Sequence, residues 1–214
     1  FLVTSSRGMA LLARQAGRPA GSDLSDAGRP RLGAIERSDA SRWTSLAPLP
    51  EPRSRLALAA AGERLAAIGG EGPDGVSGAV FLYDTEANGW LSGRDKPTAV
   101  ANVQAGAIGS RIHVPGGVTG DGAASQVVEV YDLAADAWTA QAALPTPLAA
   151  YALAVFDGQI YLFGGWNGAE YVDSVWVYDP QDDAWSSRSP APNSVGFAAA
   201  AALPDRIVLA GGFD

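Results

Sequence analysis

Apolar and polar positions alternate in short blocks along most of this chain, and the apolar blocks come in pairs. Four runs, Leu56 to Ala61, Val103 to Ile108, Ala150 to Phe156 and Phe197 to Leu203, each follow a proline-bearing segment. A short turn such as Gly62-Glu63-Arg64 or Asp157-Gly158-Gln159 comes next. A second run closes each pair: Leu65 to Ile68, Ile112 to Val114, Ile160 to Phe163 and Ile207 to Ala210. Two short runs joined through Gly or Asp read as a β-hairpin. A polar loop then leads to a third run ending in Tyr-Asp (Val80 to Tyr83, Val127 to Tyr131, Val175 to Tyr178), and a polar turn leads to a fourth that opens on Trp. No window in this region carries a helical period. The pattern predicts an all-β chain built from four-stranded antiparallel units.

The units repeat. Trp43, Trp90, Trp138 and Trp185 are separated by 47, 48 and 47 residues, and the glycine pairs starting at Gly69, Gly116, Gly164 and Gly211 keep the same steps. Tyr83, Tyr131 and Tyr178 begin Tyr-Asp pairs in the same phase. Three landmarks holding one period define an internal repeat. A sheet of four short strands cannot bury both faces alone, and stacking such sheets about an axis solves the problem as a β-propeller. The glycine pair permits close backbone approach or positive φ, while Tyr and Trp supply flat surfaces between sheets.

The ordered markers resemble the kelch repeat. They are Gly69-Gly70, Tyr83-Asp84 and Trp90; Gly116-Gly117, Tyr131-Asp132 and Trp138; Gly164-Gly165, Tyr178-Asp179 and Trp185; and a last Gly211-Gly212. The resemblance implies a kelch-type propeller, incomplete or of about four blades, whose usual role is binding. Its repeats fall at about 44–92, 93–140, 141–187 and, in part, 188–214. Residues 1–40 lack the markers and read as a linker or a degraded first blade, with Leu11-Leu12 as a strand and 35–43 as an outer pair. Strands near 33–46 could instead complete the last hairpin. The chain reads as a piece of a longer protein, with Phe1-Leu2-Val3 a candidate remnant of an apolar leader or anchor.

Composition narrows the function. The net charge is −8 and only one lysine, Lys96, is present, which argues against a nucleic-acid partner. No cysteine means no disulfide, thiolate metal site or cysteine nucleophile. No run reaches the length of a membrane-spanning helix. Richness in Ala, Gly and Arg fits a GC-rich bacterial genome, with a lean toward an extracytoplasmic or membrane-anchored protein.

The chemistry-bearing residues are few. His113 is the only histidine and occupies the strand slot of Tyr161 in a sister repeat, so it reads as structural. One histidine and no cysteine rule out an ordinary zinc site and the copper site of galactose oxidase, which the resemblance brings to mind. No spaced Asp loop of calcium type occurs, and no cofactor is expected. Asp182-Asp183 reads as a solvated turn. Arg53 and Arg55 lie at the entrance to a first strand, and at the position of Arg53 the kelch resemblance implies contact with acidic ligands at the channel mouth. The loops after the glycine pairs hold Glu71, Asp74, Asp121, Trp166, Asn167, Glu170 and Tyr171 as further candidates. These point to a non-catalytic scaffold for a protein or peptide. Trp166, Asn167 and Tyr171 offer glycan binding as the alternative. A second is part of a mutarotase-like propeller enzyme whose active site lies outside this chain.

Overall fold

The computed structural model describes residues 2–4 and 44–213, and every regular element among them is a strand. In chain order they are β1 (Leu2–Thr4), β2 (Ala57–Ala61), β3 (Arg64–Ile68), a small hairpin of β4 (Glu71–Gly72) and β5 (Gly75–Val76), β6 (Val80–Asp84) and β7 (Gly89–Ser92). The second repeat supplies β8 (Gly106–Ile108), β9 (Arg111–Pro115), β10 (Val128–Asp132) and β11 (Ala137–Gln141). The third supplies β12 (Ala152–Phe156), β13 (Gln159–Phe163), β14 (Val175–Asp179) and β15 (Ala184–Arg188), and β16 (Gly196–Leu203) pairs with β17 (Arg206–Phe213).

The sheets β2-β3-β6-β7, β8-β9-β10-β11 and β12-β13-β14-β15 each follow chain order and are antiparallel throughout. These are the four-stranded antiparallel units that the repeat predicts. In the last sheet β1 runs parallel along β17, with Leu2 opposite Val208. The strand expected at Leu11-Leu12 and the outer pair at 35–43 lie outside the described residues. So do the closing strands expected near 33–46, apart from 44–46.

Period-two alternation explains how the blades stack. On β2, Ala57, Ala59 and Ala61 are buried while Leu58 and Ala60 are exposed. The first strands of successive blades touch, β2 to β8, β8 to β12 and β12 to β16, so small side chains there let the inner edges converge. One core runs through Ile68, Ile112, Leu148, Leu162 and Tyr178. A second joins the third blade to the last hairpin through Phe163, Ile207 and Leu209. Each fully buried aliphatic side chain contributes about 1.5–3 kcal/mol.

Polar joints supplement this packing. The second glycine of the first three pairs crosses to the next repeat: Gly70, Gly117 and Gly165 donate their N–H groups to the carbonyls of Val100, Leu148 and Val195 at 2.8, 2.9 and 2.7 Å. The first glycine makes room, since a Cβ on Gly116 would lie 2.2 Å from the Leu148 carbonyl oxygen.

At the opposite end of each blade, Tyr83, Tyr131 and Tyr178 donate their hydroxyls to Asn88, Asp136 and Asp183. Those same oxygens accept the N–H groups of Ala47, Arg94 and Ala142, the last two lying just past the outer strands β7 and β11 of the preceding blades. Trp90, Trp138 and Trp185 donate Nε1–H to the carbonyls of those three residues. Asp183 stays exposed on its turn, but its carboxylate also joins two blades, so it is not merely solvated. Asp84 and Asp132 each accept two N–H groups from their own turns, and Asp179 accepts that of Gln181.

Candidate functional site

In an antiparallel four-stranded blade, the start of the first strand and the loop between the second and third strands share one end. All nine candidate residues therefore gather at the same end of the stacked blades. There the loops are tied to the chain entering each first strand. Ser54 and Glu71, Ala101 and Val118, and Ala149 and Trp166 exchange backbone hydrogen bonds of 2.7–3.0 Å.

Several loop polar groups are consumed locally. Asn167 Oδ1 accepts the N–H groups of Ala169 and Glu170 at 2.8 and 2.9 Å, and the Glu170 carbonyl accepts the Asn167 N–H at 3.0 Å. Asp121 Oδ1 accepts the Thr119 hydroxyl at 2.5 Å and the Ala123 N–H at 3.1 Å. These bonds, led by the hydroxyl, hold its carboxyl below the usual carboxylate range. Asp74 sits exposed at the tip of the β4–β5 turn. Asx-type turns of this kind stiffen a loop and occupy the oxygen that a ligand would use.

The two arginines part company. The Arg53 side chain is only 6% exposed and salt-bridged to Glu51 at 2.6 Å. Its guanidinium lies 5.6 Å from the Phe81 ring centre, and its Nε is buried without a partner. It turns inward, into the slot that Val100, Leu148 and Val195 fill in the other repeats. Arg55 instead faces out, paired with Glu71 at 2.8 Å.

Arg55 borders a cleft of about 200 Å³ whose walls include Asn102, Gln104, Ala150, Tyr151 and Phe197. Gln104 and Tyr151 are fixed from behind: Gln104 Oε1 accepts the Leu153 N–H at 3.0 Å, and the Tyr151 hydroxyl donates to the Pro115 carbonyl. Beside the cleft Phe197 stacks on Phe213 (5.4 Å, 16°), and Tyr171 meets Phe213 edge-on at 5.2 Å. Phe197 and Phe213 stay 50% and 51% exposed, an apolar platform at the rim. Trp166 is half-buried, its backbone bridging Ala149 and Tyr171.

A family model described as the KLHDC2/KLHL20/DRC7 Kelch-repeats domain matches residues 56–214. The chain belongs to the Kelch-repeat family. Human (Homo sapiens) Kelch-like protein 34 is 34% identical over 108 residues, covering 48% of this chain and 17% of that protein. Mouse (Mus musculus) Kelch-like protein 35 is 34% identical over 91 residues, 41% of this chain and 16% of that protein. The Kelch chain thus spans under a fifth of these relatives' lengths. The solved structure titled "Structure of YjhT" superposes with a TM-score of 0.73 at 20% identity, covering 82% of this chain and 64% of that one. At that identity the likeness concerns the fold.

Sequence reasoning missed Asn102, Gln104, Phe197 and Phe213 as site residues of this Kelch domain. One signal was present. Aligned by its own repeats, the column holding Arg55, Asn102, Ala150 and Phe197 changes chemistry at every copy, between columns that stay small or apolar.

Proposed function

We propose that this Kelch chain is a non-catalytic scaffold that binds a peptide segment of a protein partner at the loop end of its blades. The cleft between Arg55 and Phe197 carries the reading. At about 200 Å³ it is smaller than the roughly 300–1,000 Å³ of small-molecule sites, and it suits one anchoring side chain with the rest of a partner lying across the loops. Among the described residues no three His, Asp or Glu side chains gather as metal ligands. The Kelch-like relatives support a protein partner. The glycan alternative is less favoured, since the Asn167 carbonyl oxygen is already spent inside its own loop.

The test is selection of a phage-displayed library of random linear peptides against the chain, followed by hydrogen-exchange mapping of the enriched peptides. Enrichment with protection at 52–56, 100–104, 148–151 and the loops following the glycine pairs supports the proposal. No enrichment over an unrelated propeller, or protection confined to the hairpin turns at 62–64 and 109–111, overturns it.

A further inference from the structure

Four residues, one per repeat, share an unusual backbone state: Arg55, Asn102, Ala150 and Phe197 have φ of 58°, 51°, 53° and 55°. This left-handed region costs a non-glycine residue on the order of 1 kcal/mol or more. The backbone has a use for it. The Ala150 N–H donates to the Asn102 carbonyl at 2.8 Å and the Phe197 N–H to the Ala150 carbonyl at 2.7 Å, linking neighbouring blades where their first strands begin.

Glycine would supply the same φ without strain. The chain contains 26 glycines and uses one in the same left-handed region at the first position of every glycine pair. None of these four positions is glycine. Side chains are retained where the backbone disfavours them, and all four line the one cleft. Their chemistries also differ completely: a guanidinium, an amide, a methyl and a phenyl. Because the inter-blade bonds use only main-chain atoms, the side chains can vary without changing the frame.

We infer that Asn102, Ala150 and Phe197 are the specificity-determining positions of this scaffold, with Arg55 held off the ligand by Glu71, and that they select an uncharged peptide segment with an aromatic or branched aliphatic anchor beside a hydrogen-bond donor. The inference rests on the peptide-binding reading above and deepens it. Phe197, half-exposed and braced from behind by Phe213, offers the anchor a ring face, with Ala150 and Tyr151 beside it. Asn102 Oδ1 is buried with no donor, and such an orphaned acceptor gains from a partner N–H or O–H. The Arg55 guanidinium is already neutralised by Glu71, and the chain's net charge of −8 disfavours acidic segments.

The peptides enriched against the wild-type chain are measured by fluorescence anisotropy on Phe197→Ala, Asn102→Ala and Arg55→Ala, with Asp74→Ala at a loop tip and Trp166→Ala at a loop base as controls. Phe197→Ala is sterically safe, because Ala150 already holds that φ in the sister repeat. The expected result is a consensus with an apolar anchor and no acidic excess. Phe197→Ala should weaken binding about tenfold or more, and Asn102→Ala several-fold. Arg55→Ala and the loop variants should change it little, and the thermal midpoints of all but Trp166→Ala should stay near wild type. Peptides that bind the loop end but respond to Asp74→Ala or Trp166→Ala and not to Phe197→Ala would overturn the assignment while leaving the scaffold reading intact. An acidic consensus lost on Arg55→Ala would overturn the ligand chemistry.

Discussion

Lys96 Nζ donates to Glu129 Oε2 at 2.5 Å with both side chains removed from solvent, 0% and 8% exposed. The ammonium also reaches the Thr98 carbonyl at 3.0 Å and lies 5.8 Å from the Trp138 ring centre. Glu129 accepts both the N–H and the hydroxyl of Thr98. Sister repeats place Leu144 in the lysine slot and Phe81 or Trp176 in the glutamate slot, so the second blade has exchanged an apolar contact for an ion pair. Burial pushes the Lys96 pKa down while Glu129 opposes that shift. Lys96→Leu or Glu129→Phe alone leaves a buried charge unpaired and should cost about 3–5 kcal/mol. The double variant restores the sister arrangement and should be neutral or more stable. Urea denaturation of the four proteins checks this, and additive losses in the double variant would contradict it.

A second prediction concerns the joint at Asp136. Its carboxylate receives the Tyr131 hydroxyl and the Arg94 N–H, and its φ is 46°. Asparagine and aspartate tolerate that backbone better than other non-glycine residues, and Asn88 holds the equivalent place in the first blade. Asp136→Asn should therefore lie within about 1 kcal/mol of wild type. Asp136→Ala loses both bonds and strains the backbone, at about 2–4 kcal/mol. Chemical denaturation midpoints distinguish the two.

The frame was legible because its causes are local. Strand runs end at turn residues such as Gly109 and Asp157, and the diglycine and Tyr-Asp…Trp landmarks recur because each makes the same inter-blade bond in every copy. The mouth was not legible. Arg, Asn, Ala and Phe share no preference for positive φ; that conformation at 55, 102, 150 and 197 is imposed by the neighbouring blade, which no local pattern records. The second role of Asp183 was hidden for a related reason. Sequence shows a polar turn, whereas its partner Ala142 lies 41 residues earlier, just past the end of β11. The inward turn of Arg53 depends likewise on Phe81 and Gly69, brought beside it by the fold.

Glycines of like φ should differ sharply in tolerance. Gly109 has φ +61° and open space where a Cβ would stand. Gly109→Ala should therefore cost only the backbone strain, about 1 kcal/mol. Gly116 has φ +65°, but its Cβ would meet the Leu148 carbonyl oxygen at 2.2 Å. That atom also accepts the Gly117 N–H, so it cannot move without breaking the joint. Gly116→Ala should cost more than about 4 kcal/mol or fail to fold, and equal losses for the two alanines would refute the close-approach account.

Stability should also fall in mild acid, through His113. Its ring is buried on β9, 5.7 Å from the Tyr178 ring centre, and Nδ1 has no partner. Burial foremost, with the Arg111 charge adding, lowers its pKa from 6.5 to about 4. Between those values the unfolded chain takes up a proton that the folded chain refuses, so acid favours unfolding. The histidine contribution is complete above pH 6.5 and is lost progressively as pH falls toward 4. Asp136 and Asp183 behave in the same direction but lower. Their carboxyls, stabilised chiefly by the Tyr131 hydroxyl and the Ala142 N–H respectively, lie below the ordinary 3.8, so their contribution fades only beneath the histidine window. His113→Tyr, which installs the residue of the next repeat, should flatten the stability profile between pH 6.5 and 4 and leave the steeper loss below it. Urea midpoints across this range measure the difference, and an unchanged slope in the variant would assign the acid sensitivity elsewhere.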